Sequence, residues 1–203
     1  ITTVIVSITN AQQTIYSDNF ETGYTADSEI KWPWAASGTG FTFPVKNVAS
    51  GGVDDSDWYL RMERGGTADF AYIERIYPLT QGATYEFKAS IFPDASGQKN
   101  AYNLKVLDGS NDAVATSAKP TAGSTWEELS ISYTAAETKN YKFRVNKAWG
   151  NQGASIDNYS IVCTSCPSPT TTYNGTSWDS GSPIGTTDTS KDVIITSGNV
   201  AFS

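Results

Sequence analysis

The sequence predicts an all-β fold, an antiparallel β-sandwich. Residues 58–63 and 141–146 alternate apolar and polar side chains with a period of two, as half-buried strands do. Turn-forming clusters separate such segments about every 8 to 14 residues, which is the spacing of a sandwich with about eight strands. No stretch keeps the 3.6-residue period of an amphipathic helix.

Composition narrows the class of protein. The chain has 203 residues, enough for one sizeable sandwich and a little more, and only 17% of them are charged, which suits an extracellular β-protein. The net charge of −7 without any basic run argues against a nucleic-acid partner, and against an acidic polysaccharide unless a local basic groove binds one. The absence of histidine removes the usual proton shuttle and the commonest zinc ligand.

Four segments are predicted along the chain. Residues 1–13 are an apolar run that ends in small and polar residues, and we interpret them as the remnant of a signal peptide, with a genuine first strand as the alternative. Residues 14–166 form the sandwich, residues 167–172 are a Pro/Thr linker, and residues 173–203 begin a further β-rich domain. We therefore expect a secreted or cell-surface location and no membrane span.

The sandwich strands are predicted in order from their alternation. A short opening strand is expected at residues 17–23, and short strands with Gly-rich turns fill residues 24–57. A turn at Gly82 precedes the strand expected at residues 85–91, and a strand is also expected at residues 192–196, after the sandwich. The clear strands are residues 58–63, 70–76, 85–91, 102–108, 126–133, 141–146 and 155–162.

Two acidic segments bracket the predicted sandwich. Residues 17–23 and 155–161 each place a carboxylate beside a turn-forming Asn. If they open and close one domain, the first and last strands can meet, and Glu21 and Asp157 can share one hard cation such as calcium. The alternative is that each carboxylate accepts hydrogen bonds within its own turn.

The same segments resemble a known family. The phrases Asn-Phe-Glu-x-Gly at 19–23, Gly-x-x-Tyr-x-Phe-x-Ala at 82–89 and Ile-Asp-Asn-Tyr-Ser-Ile at 156–161 resemble the galactose-binding-like, jelly-roll carbohydrate-binding modules attached to bacterial xylanases and β-glucanases. The resemblance covers roughly residues 14–163. It implies a structural calcium between the first and last strands, with Glu21 and Asp157 as ligands. Asp18 is a further candidate ligand, although the family's opening motif has no firm counterpart for it.

Two shorter resemblances concern the ends of the chain. Ala11-Gln12 resembles the signal cleavage sites of Bacteroidetes-type bacteria, and Asn-Gly-Thr-Ser-Trp at 174–178 resembles repeat-rich regions of surface proteins that such bacteria export. They imply a secreted multidomain protein. Cys163 and Cys166 follow the last strand, where a local disulfide is the simplest prediction for a secreted chain.

Aromatic residues in loop-like contexts are candidates for sugar stacking. Trp32 and Trp34 flank Pro33, which cannot donate to a sheet ladder, and Trp149 is followed by Gly150, so all three rings are expected at loops or edges. A flat ring can cover the apolar face of a pyranose. Core packing is the alternative for each Trp.

Polar residues on a strand face are candidates for pairing with sugar hydroxyls. Arg144 and Asn146 share the face of their strand opposite Tyr141, Phe143 and Val145. A solvated outer surface is the alternative for the arginine, and the sequence leaves open whether ligand lies on a sheet face or at loop tips. The full set of predicted ligand-binding residues is Trp32, Trp34, Tyr72, Arg144, Asn146 and Trp149.

The predicted function is non-catalytic carbohydrate binding, in which a monomeric module targets a secreted multidomain protein to a polysaccharide. The alternatives are a cell-surface adhesion module and a jelly-roll glycoside hydrolase or polysaccharide lyase. A glycosidase needs two carboxylates about 5–10 Å apart. Nothing in the sequence pairs Glu63, Glu74, Glu127 or Glu128 in that way, so no enzyme activity is expected for this chain.

Overall fold

Two antiparallel sheets make up the sandwich between Gln13 and Ser165. The computed structural model describes residues 12–65 and 70–166, and the backbone of residues 193–195 and 200–202. The described strands are β1 (Gln13–Asp18), β2 (Ala35–Ser37), β3 (Phe41–Thr42), β4 (Val45–Asn47), β5 (Trp58–Arg64), β6 (Ala71–Leu79), β7 (Thr84–Pro93), β8 (Tyr102–Leu107), β9 (Ala113–Thr116), β10 (Glu127–Thr134), β11 (Lys139–Lys147), β12 (Ala154–Ser165), β13 (Val193–Ile195) and β14 (Val200–Phe202).

The strand order separates two layers. The larger sheet has seven strands in the order β10-β7-β12-β5-β3, with β1 paired to β12 and β4 paired to β5. The smaller sheet has five strands in the order β2-β6-β11-β8-β9. Short 3₁₀ turns at Val53–Asp55 and Ser96–Ala101 are the helical elements of the described residues. The predicted all-β antiparallel sandwich is confirmed.

The core lies between the sheets and is built by the alternate residues that each strand turns inward. The ring of Phe87 on β7 lies 5.5 Å from that of Phe143 on β11 and 5.0 Å from that of Tyr159 on β12. The buried Tyr159 hydroxyl donates to the backbone oxygen of Phe143 at 2.7 Å. A large aromatic ring of one sheet is thus fixed against the other, which gives the two layers a defined separation.

The first and last strands of the sandwich meet. β1 pairs antiparallel with β12, from Gln13 opposite Cys163 to Asp18 opposite Tyr159. The opening strand is residues 13–18 rather than the predicted 17–23. Phe20 adopts a left-handed backbone with φ 59°, and its N–H donates to Asp18 Oδ1 at 2.8 Å, so the chain turns and leaves the sheet.

The remaining predictions vary in their outcome. The seven clear strands are all present, with ends that differ by only a few residues, and Cys163 and Cys166 form the predicted disulfide.

Residues 11–166 form one unit, and residues 1–10 with 167–203 belong to a second. The predicted linker lies outside the described residues, as does most of the signal-peptide remnant, whereas Gln13 already belongs to β1. Among the described residues, no helix has the length and apolar character needed to cross a bilayer.

Candidate functional site

The outer side of the five-stranded sheet carries a patch of polar side chains on neighbouring strands. Along β11, Arg144 and Asn146 alternate with residues whose side chains fill the core, so the two point away from it. The register places Arg144 between Glu74 of β6 and Lys105 of β8. We call this patch the polar face; it comprises Tyr72, Glu74, Asn103, Lys105, Arg144 and Asn146.

The guanidinium of Arg144 is held at the centre of the polar face. Its Nε and Nη2 donate to one oxygen of Glu74, Oε2, at 2.8 and 2.7 Å. Its Cζ lies 3.7 Å from the centroid of the Tyr72 ring, a cation–π contact. Because both bonds converge on a single carboxylate oxygen, other N–H groups of Arg144 remain for a further acceptor. Because the guanidinium of Arg144 lies over one face of the Tyr72 ring, Tyr72 helps to fix the orientation of Arg144.

Asn146 is the unusual member of the polar face, because it is only 1% exposed. Its Nδ2 donates to Asn103 Oδ1 at 3.2 Å across the pair of strands. Its Oδ1 is buried and has no hydrogen-bond partner among the described residues. An unpaired buried carbonyl oxygen costs about 1–3 kcal/mol. The Asn146 oxygen is therefore a hydrogen-bond acceptor without a donor among the described residues.

Phe70 lies next to the polar face and was missed by the sequence reasoning. Its ring is 45% exposed and lies 5.6 Å from that of Tyr72. The signal was present in the sequence, because Phe70, Tyr72 and Glu74 alternate with buried Ala71 and Ile73. The face therefore offers an exposed flat ring beside fixed donors and an unpaired acceptor.

The three tryptophans predicted for stacking have different surroundings. Trp34 is only 7% exposed, and its ring lies 4.7 Å from that of Tyr159 and 5.8 Å from that of Phe20, so it belongs to the core. Trp34 does lie in the loop before the edge strand β2, as expected, but its ring follows the alternative of core packing, because the meeting of β1 with β12 encloses it. Trp32 is 90% exposed ahead of Pro33, and Trp149 is partly exposed after β11. The structure brings Tyr72, Arg144 and Asn146 together, and among the described residues no ring–ring, cation–π or hydrogen-bond contact joins a Trp ring to this group.

The predicted calcium ligands lie where the loop after β1 and the loop before β5 approach β12. Ser56 Oγ donates to Glu21 Oε1. A Cβ added at Gly52 would lie 2.7 Å from the Trp58 carbonyl oxygen and 2.8 Å from both Asp157 Oδ2 and Ser56 Oγ. Oxygens from distant parts of the chain therefore converge beside a residue without a side chain. Among the described residues, no group of three or more acidic or cysteine side chains is arranged to hold a metal ion, so a cation here needs carbonyl and hydroxyl ligands too.

Asp157 itself is fully buried and has an unusual pKa. Its Oδ2 accepts the N–H of Val53 at 2.9 Å, and its Oδ1 accepts the N–H of Asn158 at 2.7 Å. Burial raises the pKa of Asp157 to about 6, the two backbone hydrogen bonds oppose that rise, and the negative charges of Glu21 and Asp18 add to it. A cation beside this carboxylate would favour its ionised form.

Asp18, the third predicted ligand, takes part in a different arrangement. Its Oδ2 accepts the hydroxyls of Tyr16 and Tyr24, both at 2.5 Å, and its Oδ1 accepts the N–H of Phe20. Both oxygens thus accept hydrogen bonds from residues of β1 and of the loop that follows it. The structure links Glu21 to Asp157 through the oxygens beside Gly52 and leaves Asp18 outside that link.

Comparison with known proteins places the fold. No protein-family model matches the sequence, and no curated protein matches it. The C-terminal family 22 carbohydrate-binding module of Clostridium thermocellum Xyn10B superposes with a TM-score of 0.54 at 17% identity over 76% of this chain and 96% of that one. The CBM22-1 xylan-binding domain of Paenibacillus barcinonensis Xyn10C gives 0.54 at 12% identity over 79% and 100%.

A third structure contains a second module. The CBM22-1–GH10 modules of Clostridium thermocellum Xyn10B, in complex with xylohexaose, give a TM-score of 0.53 at 16% identity over 75% of this chain. This chain spans only 29% of the length of that protein. At such identities the likeness shows the fold alone. The chain has the β-sandwich fold of these carbohydrate-binding modules.

Proposed function

We propose that the sandwich binds a polysaccharide on its polar face and does not cleave it. The observation that carries the proposal is the guanidinium of Arg144, which Glu74 and Tyr72 hold in place with N–H groups left for a further acceptor, on a face beside the exposed Phe70. A sugar hydroxyl is both donor and acceptor. It can accept from Arg144, and a neighbouring hydroxyl can donate to the buried Asn146 oxygen once a side-chain movement opens the way to it.

Phe70 would contact the apolar face of the sugar. The C–H face of a pyranose packs on a flat ring, and Phe70 presents a ring that is nearly half exposed beside Tyr72. Tyr72 contributes mainly by fixing Arg144, since the guanidinium covers one of its ring faces. Rigid positioning of the donors lowers the entropic cost of binding.

The polar face is poorly equipped for hydrolysis. Among its described residues, Glu74 is the one carboxylate, and it is bonded to Arg144 and almost fully buried. Cleavage of a glycosidic bond by the common mechanisms requires a second carboxyl group to act as nucleophile or base. The arrangement supports holding a glycan rather than breaking it.

The substrate class we favour is xylan or a similar β-linked polysaccharide. Its support is the fold shared with the xylan-binding domain of Paenibacillus barcinonensis Xyn10C and the Clostridium thermocellum modules in complex with xylohexaose. In the Clostridium thermocellum structure the binding module accompanies a second module. By analogy, we propose that this chain targets a larger secreted protein, one of Bacteroidetes type, to its polysaccharide. Further support for that role is the apolar start and the low charge content of the sequence.

Affinity electrophoresis in gels that contain soluble xylan tests the proposal. Xylan should retard the wild-type chain, and Phe70→Ala should weaken binding by about 1–3 kcal/mol, the range measured for bases stacked on aromatic rings. Ile76→Ala is the matched control, because Ile76 is half exposed on β6, the strand that directly follows Phe70, and lies on the same side of the sheet. Equal retardation of all three proteins, or none for the wild type in any β-linked polysaccharide, would contradict the proposal.

Calcium is proposed as a structural ion of the sandwich. Glu21 and Asp157 would supply carboxylate oxygens, and the Ser56 hydroxyl and Trp58 carbonyl oxygens that converge beside Gly52 would extend the shell. Oxygen ligands of mixed type are those that calcium prefers. Such an ion would neutralise a buried carboxylate and tie the loop after β1 and the loop before β5 to β12.

A further inference from the structure

A cavity of about 560 Å³ lies beside β1 and is lined in part by aromatic and charged side chains of the segments that precede β2. Strand β6 separates it from the polar face, because Arg75 of the cavity and Glu74 of the polar face are adjacent residues on opposite sides of that strand. The lining residues that matter here are Tyr16, Asp18, Tyr24, Trp32, Trp34 and Arg75.

The cation in the cavity wall lacks an acidic partner. Arg75 is only 7% exposed, and among the described residues no carboxylate lies within ion-pair distance of it. Its guanidinium instead lies over the rings of Tyr16 and Trp34, with Cζ 4.0 and 5.2 Å from their centroids, and donates to the Tyr77 hydroxyl at 2.6 Å. One of its five N–H groups is used in this way, so the others are available to an acceptor in the cavity.

A fixed acceptor lies in the same wall. Asp18 Oδ2 accepts the hydroxyls of both Tyr16 and Tyr24, and the Tyr24 hydroxyl in turn accepts Trp34 Nε1–H at 3.1 Å. This chain of hydrogen bonds holds four side chains in one geometry. Asp18 lies in the cavity wall in a set orientation, and its Oδ1, which accepts only the Phe20 N–H, keeps the capacity to accept one further donor, as a preorganised binding site requires.

The rim of the cavity carries the most exposed large apolar side chain of the described residues. Trp32 is 90% exposed, and its ring lines the cavity while Trp34, two residues on, lies in the core. An exposed indole beside a polar cavity supplies the apolar half of a sugar site. The cavity thus combines a flat ring, oriented N–H donors and an oriented carboxylate.

We propose that this cavity is a second saccharide site, which takes a single neutral pyranose unit at a chain end or side branch. The volume suits a small ligand. The charged lining residues are balanced, with Asp18 and Glu29 against Lys31 and Arg75, so a neutral sugar fits better than a uronate. The inference goes beyond the polar face and does not depend on it, since no residue is shared between them.

The test follows the indole Nε1–H signals of Trp32 and Trp34 by NMR while the methyl β-glycosides of xylose, glucose and galactose are added, with glucuronate as the charged comparison. At least one neutral glycoside should shift both signals saturably and should bind more tightly than glucuronate. Trp32→Ala should weaken binding about tenfold, followed through Trp34, and Trp32→Tyr, which keeps a ring, should lose much less. Trp32 is exposed, so both variants should keep the fold.

Phe70→Ala separates this site from the polar face. It should weaken retardation by xylan and leave the glycoside shifts unchanged. If Phe70→Ala removed the shifts, they would come from the polar face, and the second site would be refuted. It would also be refuted if no neutral glycoside moved the Trp34 signal saturably, if Trp32→Ala bound as the wild type does, or if glucuronate bound more tightly. Failure of xylan retardation with intact glycoside shifts would overturn the polar face alone and support this site.

Discussion

The carboxylate of Asp157 on β12 accepts the backbone N–H of Val53 at 2.9 Å, although 104 residues separate the two in the chain. This bond ties the loop before β5 to the last strand of the sandwich. It also holds a fully buried carboxylate close to Glu21, whose charge disfavours its ionised form. A cation that joined the two would relieve that repulsion.

Removal of calcium should destabilise the protein. An ion that binds only the folded state stabilises it by about 2.7 kcal/mol at a concentration one hundred times its dissociation constant. We expect excess chelator to lower the melting temperature and added calcium to restore it. Asp157→Asn should abolish this response, whereas Asp55→Asn should keep it, because Asp55 is an exposed acid of the loop before β5. An unchanged melt in chelator, with no metal found by elemental analysis, would refute the site.

The pH dependence of stability should change sign with calcium. The pKa of Asp157 is raised from 3.8 to about 6 in the folded state, so in chelator the folded form is favoured by protonation. The contribution of Asp157 to stability should be largest below pH 4 and should fall by up to about 3 kcal/mol as the pH rises to 6, at 1.36 kcal/mol per unit, a trend that Asp157→Asn should remove. With calcium bound, protons compete with the ion, and acid should destabilise. Urea unfolding at pH 4, 5, 6 and 7 measures both trends; parallel trends would contradict this account.

The strands, and the side of β11 that carries the polar face, could be predicted from the local alternation of apolar and polar residues. Phe143, Arg144, Val145 and Asn146 alternate because one side of β11 fills the core, and such a pattern predicts the exposed side without knowledge of the neighbouring strands. Phe70 obeys the same rule one strand away, and the sequence reasoning overlooked it because its partners were not yet aligned.

Other features depended on contacts between distant segments. Trp34 is buried because β1 and β12 meet around it, which nothing in residues 31–36 reveals. The oxygens that converge beside Gly52 include that of Asp157, from the other end of the sandwich. The sequence pattern placed Glu21 on a strand, whereas the left-handed backbone of Phe20 places it in a loop. Local pattern predicts which way a side chain points, but not which distant atoms it meets.

Two tryptophans two residues apart should respond oppositely to truncation. Trp34→Ala should lower the free energy of unfolding by about 3–5 kcal/mol, because it removes a buried ring between Tyr159 and Phe20. Trp32→Ala should change it by less than about 0.5 kcal/mol, since its ring is exposed. Urea denaturation measures both. A large loss of stability for Trp32→Ala would mean that the ring packs against the fold.

The sandwich should fold without its C-terminal segment. The strand pairs of both sheets lie between Gln13 and Ser165, and residues 11–166 form one unit. We expect deletion of residues 167–203 to leave the melting temperature almost unchanged, because no described strand pair of the sandwich is removed. A fall of more than about 5 °C would correspond to about 1–2.5 kcal/mol for a domain of this size and would show that the segment supports the sandwich.

Asn146→Leu should weaken glycan binding without lowering the free energy of unfolding. The substitution removes a buried oxygen whose lack of a partner costs about 1–3 kcal/mol, and it forfeits one hydrogen bond to Asn103 worth about 0.5–1.5 kcal/mol. The Asn103 amide is half-buried and can bond to water instead. We therefore expect a variant that is as stable as the wild type or up to about 1 kcal/mol more stable, yet one that xylan gels retard far less.

Asn140→Leu is the matched control, because Asn140 is exposed on the same strand and on the same side of the sheet. It should alter neither retardation nor, by more than about 0.5 kcal/mol, the free energy of unfolding. A loss of more than about 2 kcal/mol in Asn146→Leu would mean that the Asn146 oxygen has a partner in the folded chain. Full retardation of that variant would mean that ligand does not reach the oxygen. A stable variant with weakened binding is the result that a functional acceptor predicts.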